Sequence, residues 1–240
     1  MSGPGGQTPR VGIAAEVTEL WEQLTGSDGS DLGRTAGIVA GIAPAAACYV
    51  MPGWARNRGA TGVPLWWIWP AGNWVSGERR QELLLAAALA LAAAEQCIPQ
   101  TPPPPPTLAV VRDANGTRAQ GHRRGSRDRI LAAVDQARAD LVDHEGLDPA
   151  RSLRPSGLES LMLATACHLL PPQMRVIGRA GVPQLWAWPT ASWVDDLDRA
   201  SELTISAAMV QAVIELHDRT EARRTRPSTL AVINGGAAPG

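Results

Sequence analysis

The chain has 240 residues, of which 45% are apolar and 19% are charged, and its formal net charge at pH 7 is −1. This composition predicts a globular protein that buries a core in one large or two small domains, and it argues against bulk electrostatic attraction to nucleic acid or to an anionic membrane. No uninterrupted apolar run reaches the about 18 residues that a membrane span requires, and residues 1–12 lack a basic-then-apolar signal pattern, so we expect a cytoplasmic protein with no membrane partner.

Two helices are predicted at the start of the chain. Apolar residues at helical spacing predict the first helix over residues 13–24. A second helix is expected to end at Val50, before Pro52, and to begin at Pro44 or as early as Ile38. Because Pro44 lies inside the longer of these two alternatives, we expect this helix to be short or kinked.

A strand and a third helix follow. Residues 63–69 are bounded by prolines and predict a strand. The third helix is expected over residues 76–96, with a loose cap over residues 73–76. The apolar run TLAVV at 107–111 predicts a second strand after it.

The pattern then occurs a second time. Residues 62–75 read GVPLWWIWPAGNWV and residues 181–194 read GVPQLWAWPTASWV. The same offset in sequence aligns three further pairs upstream and downstream of this stretch: Cys48 with Cys167, Arg56 with Arg175, and Arg80 with Arg199. TLAVI at 229–233 repeats TLAVV at a slightly larger offset. A match of this length predicts a tandem duplication, with two similar units rather than a solenoid of short repeats.

The second copy predicts helices over residues 130–142, 156–170 and 195–219, and strands over residues 182–188 and 229–233. Ser192 to Asp195 reads as a capping box for the last of these helices. The fold class is therefore predicted to be mainly α with short β strands, as a duplicated helical domain about a pseudo-twofold axis. We divide the chain into copy one at 1–111, an Arg-rich linker at 112–128, copy two at 129–233 and a flexible tail at 234–240.

The third helix of copy one is apolar around its whole circumference. Residues 83–95 read LLLAAALALAAAE, a composition that predicts burial on most sides. This helix is the expected seam between the two copies, or else an oligomer interface. Between it and the linker lie five consecutive prolines, Pro102–Pro106, which favour polyproline II and are expected to dock on a Trp surface of the same or a neighbouring chain.

The candidate site residues are two tryptophan pairs and two arginines. In a strand, Trp67 and Trp69 share a face, as do Trp186 and Trp188, and we favour packing in the core for them. The alternative is a ligand or partner surface for a sugar, a base or a proline-rich peptide, formed with Arg56 and Arg175. Arg80 and Arg199 open the third helices, where a cation opposes the helix dipole, so a specific carboxylate partner is expected for each.

No residue pattern predicts catalysis, a metal site or a cofactor. Cys48 and Cys167 lie late in their helices, where the dipole disfavours a thiolate, so both are predicted to be structural. Neither paired cysteines nor a His–Glu cluster has metal-ligand spacing, and no glycine-rich phosphate loop is present in the sequence.

Trp67, Trp69 and Trp74 with residues 84–95, and their counterparts in copy two, resemble a tryptophan-rich module of actinobacterial phage and prophage proteins. The proline here follows the second Trp instead of separating the first two, and the module's second Trp of a pair is missing. The absence of Phe and Lys indicates a GC-rich genome, which agrees with that source. The module has no activity to transfer, but it implies a phage-related or actinobacterial accessory protein, virion-associated if a phage encodes it.

These observations predict a non-enzymatic interaction or assembly protein that binds a protein partner or itself. The alternative is a small-molecule-binding protein or an enzyme with a site at the seam between the copies. A third function is weak nucleic-acid contact through the Arg runs of the linker and the C-terminal segment, although nucleic acid is not the expected partner because few aromatics interleave these arginines.

Overall fold

The computed structural model describes residues 8–25, 36–56, 59–97, 115–144, 155–195 and 197–225. This part of the chain is mainly helical, as predicted. It contains six α-helices: α1 (Thr8–Thr25), α2 (Ala36–Val50), α3 (Arg79–Cys97), α4 (Asn115–His144), α5 (Pro155–Leu169) and α6 (Arg199–Arg224).

The helix boundaries differ from the predicted ones mainly at the N-termini. α2 begins at Ala36 and continues through Pro44, and residues 41–50 are buried, so their packing offsets the missing backbone N–H of the proline. The capping box at Ser192–Asp195 is wrong: Ser192 ends a short 3-10 helix, and the N-cap of α6 is Asp198, whose carboxylate accepts from the backbone N–H of Ser201 at 3.0 Å. The cap over residues 73–76 is wrong for the same reason, since α3 begins only at Arg79.

The two strands predicted around the Trp pairs are also wrong. Residues 63–69 and 182–188 form turns rather than strands, with an isolated bridge between Ile177 and Pro183 and a bridge residue at Pro64. Gly62 and Gly181 have φ values of 76° and 80°, which reverse the chain just before each Trp-rich segment. The strands predicted at 107–111 and 229–233, and the proline run, lie outside the described residues.

Most of the segment predicted as an Arg-rich linker at 112–128 is helical, since α4 begins at Asn115. A tertiary contact stabilises this part of the helix. Arg127 lies in it, 3.4 Å from a carboxylate oxygen of Glu95 and 2.6 Å from Thr25 Oγ1, with its guanidinium 4.9 Å from the centre of the Trp21 ring. The end of the segment predicted as a linker is therefore packed against α1 and α3.

One hydrophobic core spans all six helices. α3 packs against α1, α2 and α6, while α6 packs against α3, α4 and α5, and α2 also packs against α5. Arg80 at the start of α3 bonds Asp218 near the end of α6, so these two helices run antiparallel. The two helices predicted as third helices, α3 and α6, thus pack directly against each other, and α3 presents mainly Ala and Leu side chains to the core.

Candidate functional site

The predicted site residues all lie in two loops that occupy equivalent places in the helix order. Loop 1 (residues 51–78) joins α2 to α3, and loop 2 (residues 170–198) joins α5 to α6; residues 57, 58 and 196 within them are not described. Each loop leaves the C-terminus of one core helix and enters the N-terminus of the next. The side chains of both loops therefore lie where helix dipoles end and begin.

The first Trp of each pair belongs to the core. Trp67 is 7% exposed and Trp186 is 9% exposed, and each indole N–H donates at 3.2 Å to the carbonyl of the proline three residues later. The proline of each Trp-x-Trp-Pro element thus supplies the acceptor that a buried Trp requires. Trp69 and Trp188 are half-buried with their rings nearly perpendicular to those of their partners, so neither pair forms the flat platform expected of a strand.

Trp74 in loop 1 and Trp193 in loop 2 each stack on the last turn of the preceding helix. Trp74 lies parallel to Tyr49 with ring centroids 4.5 Å apart, and Trp193 lies parallel to His168 at 4.9 Å. Trp74 also meets Trp67 edge-on, with ring centroids 5.0 Å apart. These contacts tie each loop to its helix end.

Beside each aromatic stack lies a buried cluster of two arginines and one glutamate. In the N-terminal triad (Arg56, Arg79 and Glu82), Arg56 is 3% exposed and donates to two carbonyl oxygens at the C-terminal end of α2, at 3.0 and 3.1 Å. Arg79 donates to two such carbonyls at 2.5 and 2.6 Å. Glu82 pairs with both guanidinium groups. The triad therefore satisfies carbonyls that the helix leaves without a partner, and its excess positive charge suits the negative end of the dipole.

The C-terminal triad (Arg175, Arg199 and Glu202) repeats these contacts at the end of α5. Arg175 and Arg199 donate to backbone carbonyls there at 2.8, 2.6 and 2.5 Å. Glu202 accepts from Arg175 at 2.6 Å and from Arg199 at 2.8 Å. Sequence reasoning missed both glutamates, although a signal was present. Each glutamate lies three residues after the arginine that opens its helix, and this spacing places the arginine and the glutamate on the same face of that helix.

The triads shift the pKa of their members. Burial alone would raise the pKa of Glu202, but the arginines that face it outweigh this and lower the pKa to about 2. We assign the lowering to Arg199 and Arg175 because His168 Nδ1 is 4.0 Å from the carboxylate, beyond hydrogen-bond distance. The pKa of Glu82 is lowered in the same way, and desolvation lowers the pKa of Arg79 to about 10. Arg56 and Arg175 are thus engaged in folding contacts rather than open to an anion.

The alignment of Arg80 with Arg199 is a register error. The contacts of Arg199 are those of Arg79, so loop 2 is one residue longer than loop 1 between its last Trp and the helix. Arg80 bonds Glu16 at 2.7 Å and Asp218 at 3.1 Å, so its expected carboxylate partner across the molecule is confirmed.

The cysteines behave as predicted for structural residues. Cys48 and Cys167 are buried and free, and desolvation raises the pKa of each thiol to about 12, which leaves no thiolate at neutral pH. Cys97 is exposed at the end of α3. Within the described ranges, no group of three or more His, Cys, Asp or Glu side chains is placed to hold a metal ion.

Large apolar side chains that face solvent are concentrated in the two loops. Every large hydrophobic residue that the structure describes as exposed lies in loop 1 or loop 2. These seven residues, here called the loop surface, are Trp54, Leu65, Ile68, Val75, Val176, Ile177 and Val194. These side chains are 46–66% exposed, and two of them, Trp54 and Val176, line one groove where the loops meet, which makes the loops a candidate interaction surface.

The two loops meet at a groove of about 410 Å³, here called the interloop groove. Loop 1 contributes Trp54, Ala55 and Trp66, and the opposite wall comes from the end of α5 and from loop 2. That wall consists of Cys167, Leu170, Met174, Arg175, Val176, Pro183, Gln184 and Leu185. The groove contains Arg175 but not Arg56, and most of its lining is apolar.

Comparison with known proteins gives no relative for this chain. No family model, no curated protein and no solved structure matches it. In the part of the chain that the structure describes, no helix is both long enough and apolar enough to cross a lipid bilayer.

Proposed function

We propose that the protein is a non-enzymatic interaction or assembly protein that binds a protein partner through the loop surface. The observation that carries this proposal is the concentration of exposed Trp, Leu, Ile and Val side chains in two loops on an otherwise well-buried helical core. Soluble monomers rarely expose contiguous apolar side chains of this size without a partner. Arg56 and Arg175, which are close in sequence to Trp54 and Val176, are paired with buried glutamates and with helix carbonyls, so their charges stabilise the loops.

We further propose that the chain arose by duplication of one helical unit and fusion of the two copies. The proposal is supported by the matching contacts of the two triads and of the two Trp stacks, which involve aligned residues. The antiparallel packing of α3 on α6 and the packing of α2 on α5 agree with the subunits of an ancestral homodimer. The resemblance to a phage tryptophan-rich module adds the proposal that the protein serves a phage or an actinobacterial host as an accessory factor.

The loop surface is tested by a double substitution that leaves the core and the groove intact. Leu65 and Val75 are 62% and 64% exposed and do not line the groove. The variant Leu65→Ser/Val75→Ser is compared with Glu22→Gln on the exposed face of α1 as the control. We expect both to melt within about 2 °C of the wild type, since surface substitutions cost little.

Partners are captured from a host lysate with each of the three proteins, and hydrogen exchange is measured on the purified complex. We expect the wild type to recover a partner protein or a second copy of the chain, and the double variant to recover it at least about fivefold less efficiently. In the purified complex, the bound partner should protect loop 1 and loop 2 from exchange. Equal recovery by all three proteins, with exchange unchanged in both loops, contradicts the proposal.

A small-molecule-binding protein with a site in the interloop groove is the second candidate. The volume of about 410 Å³ lies within the range of about 300–1,000 Å³ typical of ligand sites. Against it, the groove holds only one of the two arginines expected at the seam, and Arg175 is already bound to Glu202. Nucleic-acid contact through the Arg runs remains the third candidate; it predicts DNA binding that falls steeply as salt is raised.

A further inference from the structure

The interloop groove combines two tryptophan side chains on one side with an apolar wall on the other. We propose that it binds an extended proline-rich segment of a protein partner. This inference rests on the proposed function and adds to it the chemistry of the partner. The loop surface outside the groove supplies the remaining contact area.

The aromatic faces come from two tryptophans on loop 1. Trp54 is 66% exposed, whereas Trp66 is half-buried and packs against the core, so Trp66 is held in place while one part of its ring stays open to the groove. Leu170, Met174 and Leu185 form the apolar wall opposite. Proline rings in a polyproline II helix present flat apolar faces that stack in an aromatic-lined groove of this kind.

The donors of the groove match a ligand that carries carbonyl groups but no N–H groups. Trp54, Trp66 and Gln184 line the groove, and each side chain carries an N–H group that can donate to a ligand. An indole nitrogen donates only, and consecutive prolines offer backbone carbonyls as acceptors without any donor of their own. The backbone carbonyls of a proline-rich segment can therefore accept from the tryptophans of the groove while its rings stack on them.

The charges around the groove disfavour the other ligands that a Trp surface could bind. No carboxylate lines the groove, and Arg175 is held by Glu202 at 2.6 Å, so neither a phosphate nor an acidic peptide meets an unpaired cation there. Sugar recognition requires several polar side chains around the ring. Here Gln184 is the only uncharged polar side chain in the lining.

The chain supplies its own probe sequence. Residues 100–108 read QTPPPPPTL, and they carry the five prolines expected to dock on a Trp surface. A fluorescent peptide of this sequence is titrated with the full chain by anisotropy, beside a peptide whose five prolines are replaced by Gly and Ser. A second protein, with Pro102–Pro106 replaced by Gly and Ser, removes competition from the chain itself.

We expect saturable binding of the proline peptide to the proline-free protein, at least about tenfold tighter than binding of the Gly/Ser peptide. In the same background, Trp66→Ala should weaken binding at least about tenfold and Trp54→Ala at least about threefold. Leu65→Ala, on the same loop but outside the groove, should change binding less than about twofold. Weaker binding by the wild type than by the proline-free protein supports the groove as the site and shows that the chain's own prolines compete for it.

Equal affinity for the two peptides, or the same affinity in Trp54→Ala and Trp66→Ala as in the parent, overturns the proposal. Trp54 is mostly exposed, so its variant tests the groove even if Trp66→Ala loses stability. The outcome is separable from that of the proposed function. If peptide binding fails while the Leu65/Val75 double variant still loses a partner, only the assignment of a proline-rich ligand is wrong.

Discussion

Removing the charge of Glu202 is expected to lower the free energy of unfolding much more than removing the charge of an exposed glutamate. Its side chain is 6% exposed and accepts from Arg175 at 2.6 Å and from Arg199 at 2.8 Å. Substitution of Glu202→Gln keeps the shape and one acceptor but removes the charge. Two guanidinium groups, 7% and 27% exposed, then remain beside each other without their shared carboxylate.

Two arguments give the size of this effect. Removing one partner of a buried ion pair costs about 3–5 kcal/mol, and the lower end applies because both arginines keep their bonds to the carbonyls of α5. The pKa of Glu202 is lowered from 4.5 to about 2, and at about 1.36 kcal/mol for each unit this sets an upper bound of about 3 kcal/mol on the contribution of the two arginines. For a chain of this size the melting temperature should fall by about 6–12 °C.

The assay is guanidinium unfolding followed by Trp fluorescence, with thermal unfolding as a second probe. Glu221→Gln is the matched control, since Glu221 lies on the same helix and its pair with Arg224 is 46% and 72% exposed. An exposed pair of this kind contributes less than about 1 kcal/mol. If Glu202→Gln and Glu221→Gln lose the same free energy of unfolding, the triad does not stabilise the fold as argued.

The same residue predicts the pH dependence. Because the pKa of Glu202 is lower in the folded chain than in the unfolded chain, its contribution is complete above about pH 4.5 and is lost as the pH falls to about 2. The difference in unfolding free energy between the wild type and Glu202→Gln should therefore shrink from about 3 kcal/mol at pH 6 towards zero at pH 2. A difference that is constant over this range contradicts the charge-based explanation.

Three further results are expected. A thiol reagent at pH 8 should label only Cys97 in the native chain and all three cysteines after denaturation, because Cys48 and Cys167 are buried with their pKa raised to about 12. Labelling of more than one thiol in the native chain contradicts this. Gly41→Ala should cost about 1–3 kcal/mol because a Cβ there would lie 2.3 Å from an indole nitrogen, whereas Gly12→Ala, with nothing within 4 Å, should be neutral or stabilising. Residues 1–111 and 112–240, expressed separately so that α4 stays whole, should each expose the apolar face of α3 or α6 and should associate when mixed. Two soluble monomers that melt cooperatively and do not associate contradict the shared core.

Much of the helical layout could be predicted from the sequence, because helices are specified locally. Periodic apolar residues placed α1, α3, α5 and α6 to within a few residues at most ends, and the Ala- and Leu-rich run of α3 predicted burial on most sides. The burial of Cys48 and Cys167 followed from their positions late in apolar helices. These predictions hold because neighbours along the helix determine which face is apolar, and an apolar face must be covered.

The conformation of the two loops could be determined only from the tertiary structure. Residues 63–69 have the composition of a strand, but a strand needs a partner for its backbone groups, and the chain instead folds back at Gly62 and satisfies Trp67 through the carbonyl of Pro70. Arg79, and not the aligned Arg80, joins Arg56 and Glu82, because the contacts at the end of α2 determine the register.

The candidate site also depends on distances that the sequence does not contain. Trp54 and Trp66 face Met174 and Leu185 only because α2 packs against α5 and brings the two loops together. The sequence determined which residues are apolar, aromatic or charged, and therefore which helices form. Only the packing of those helices decided which aromatics are buried, which charges are paired and which side chains stay exposed, because each of these depends on residues far apart in the chain meeting at one place.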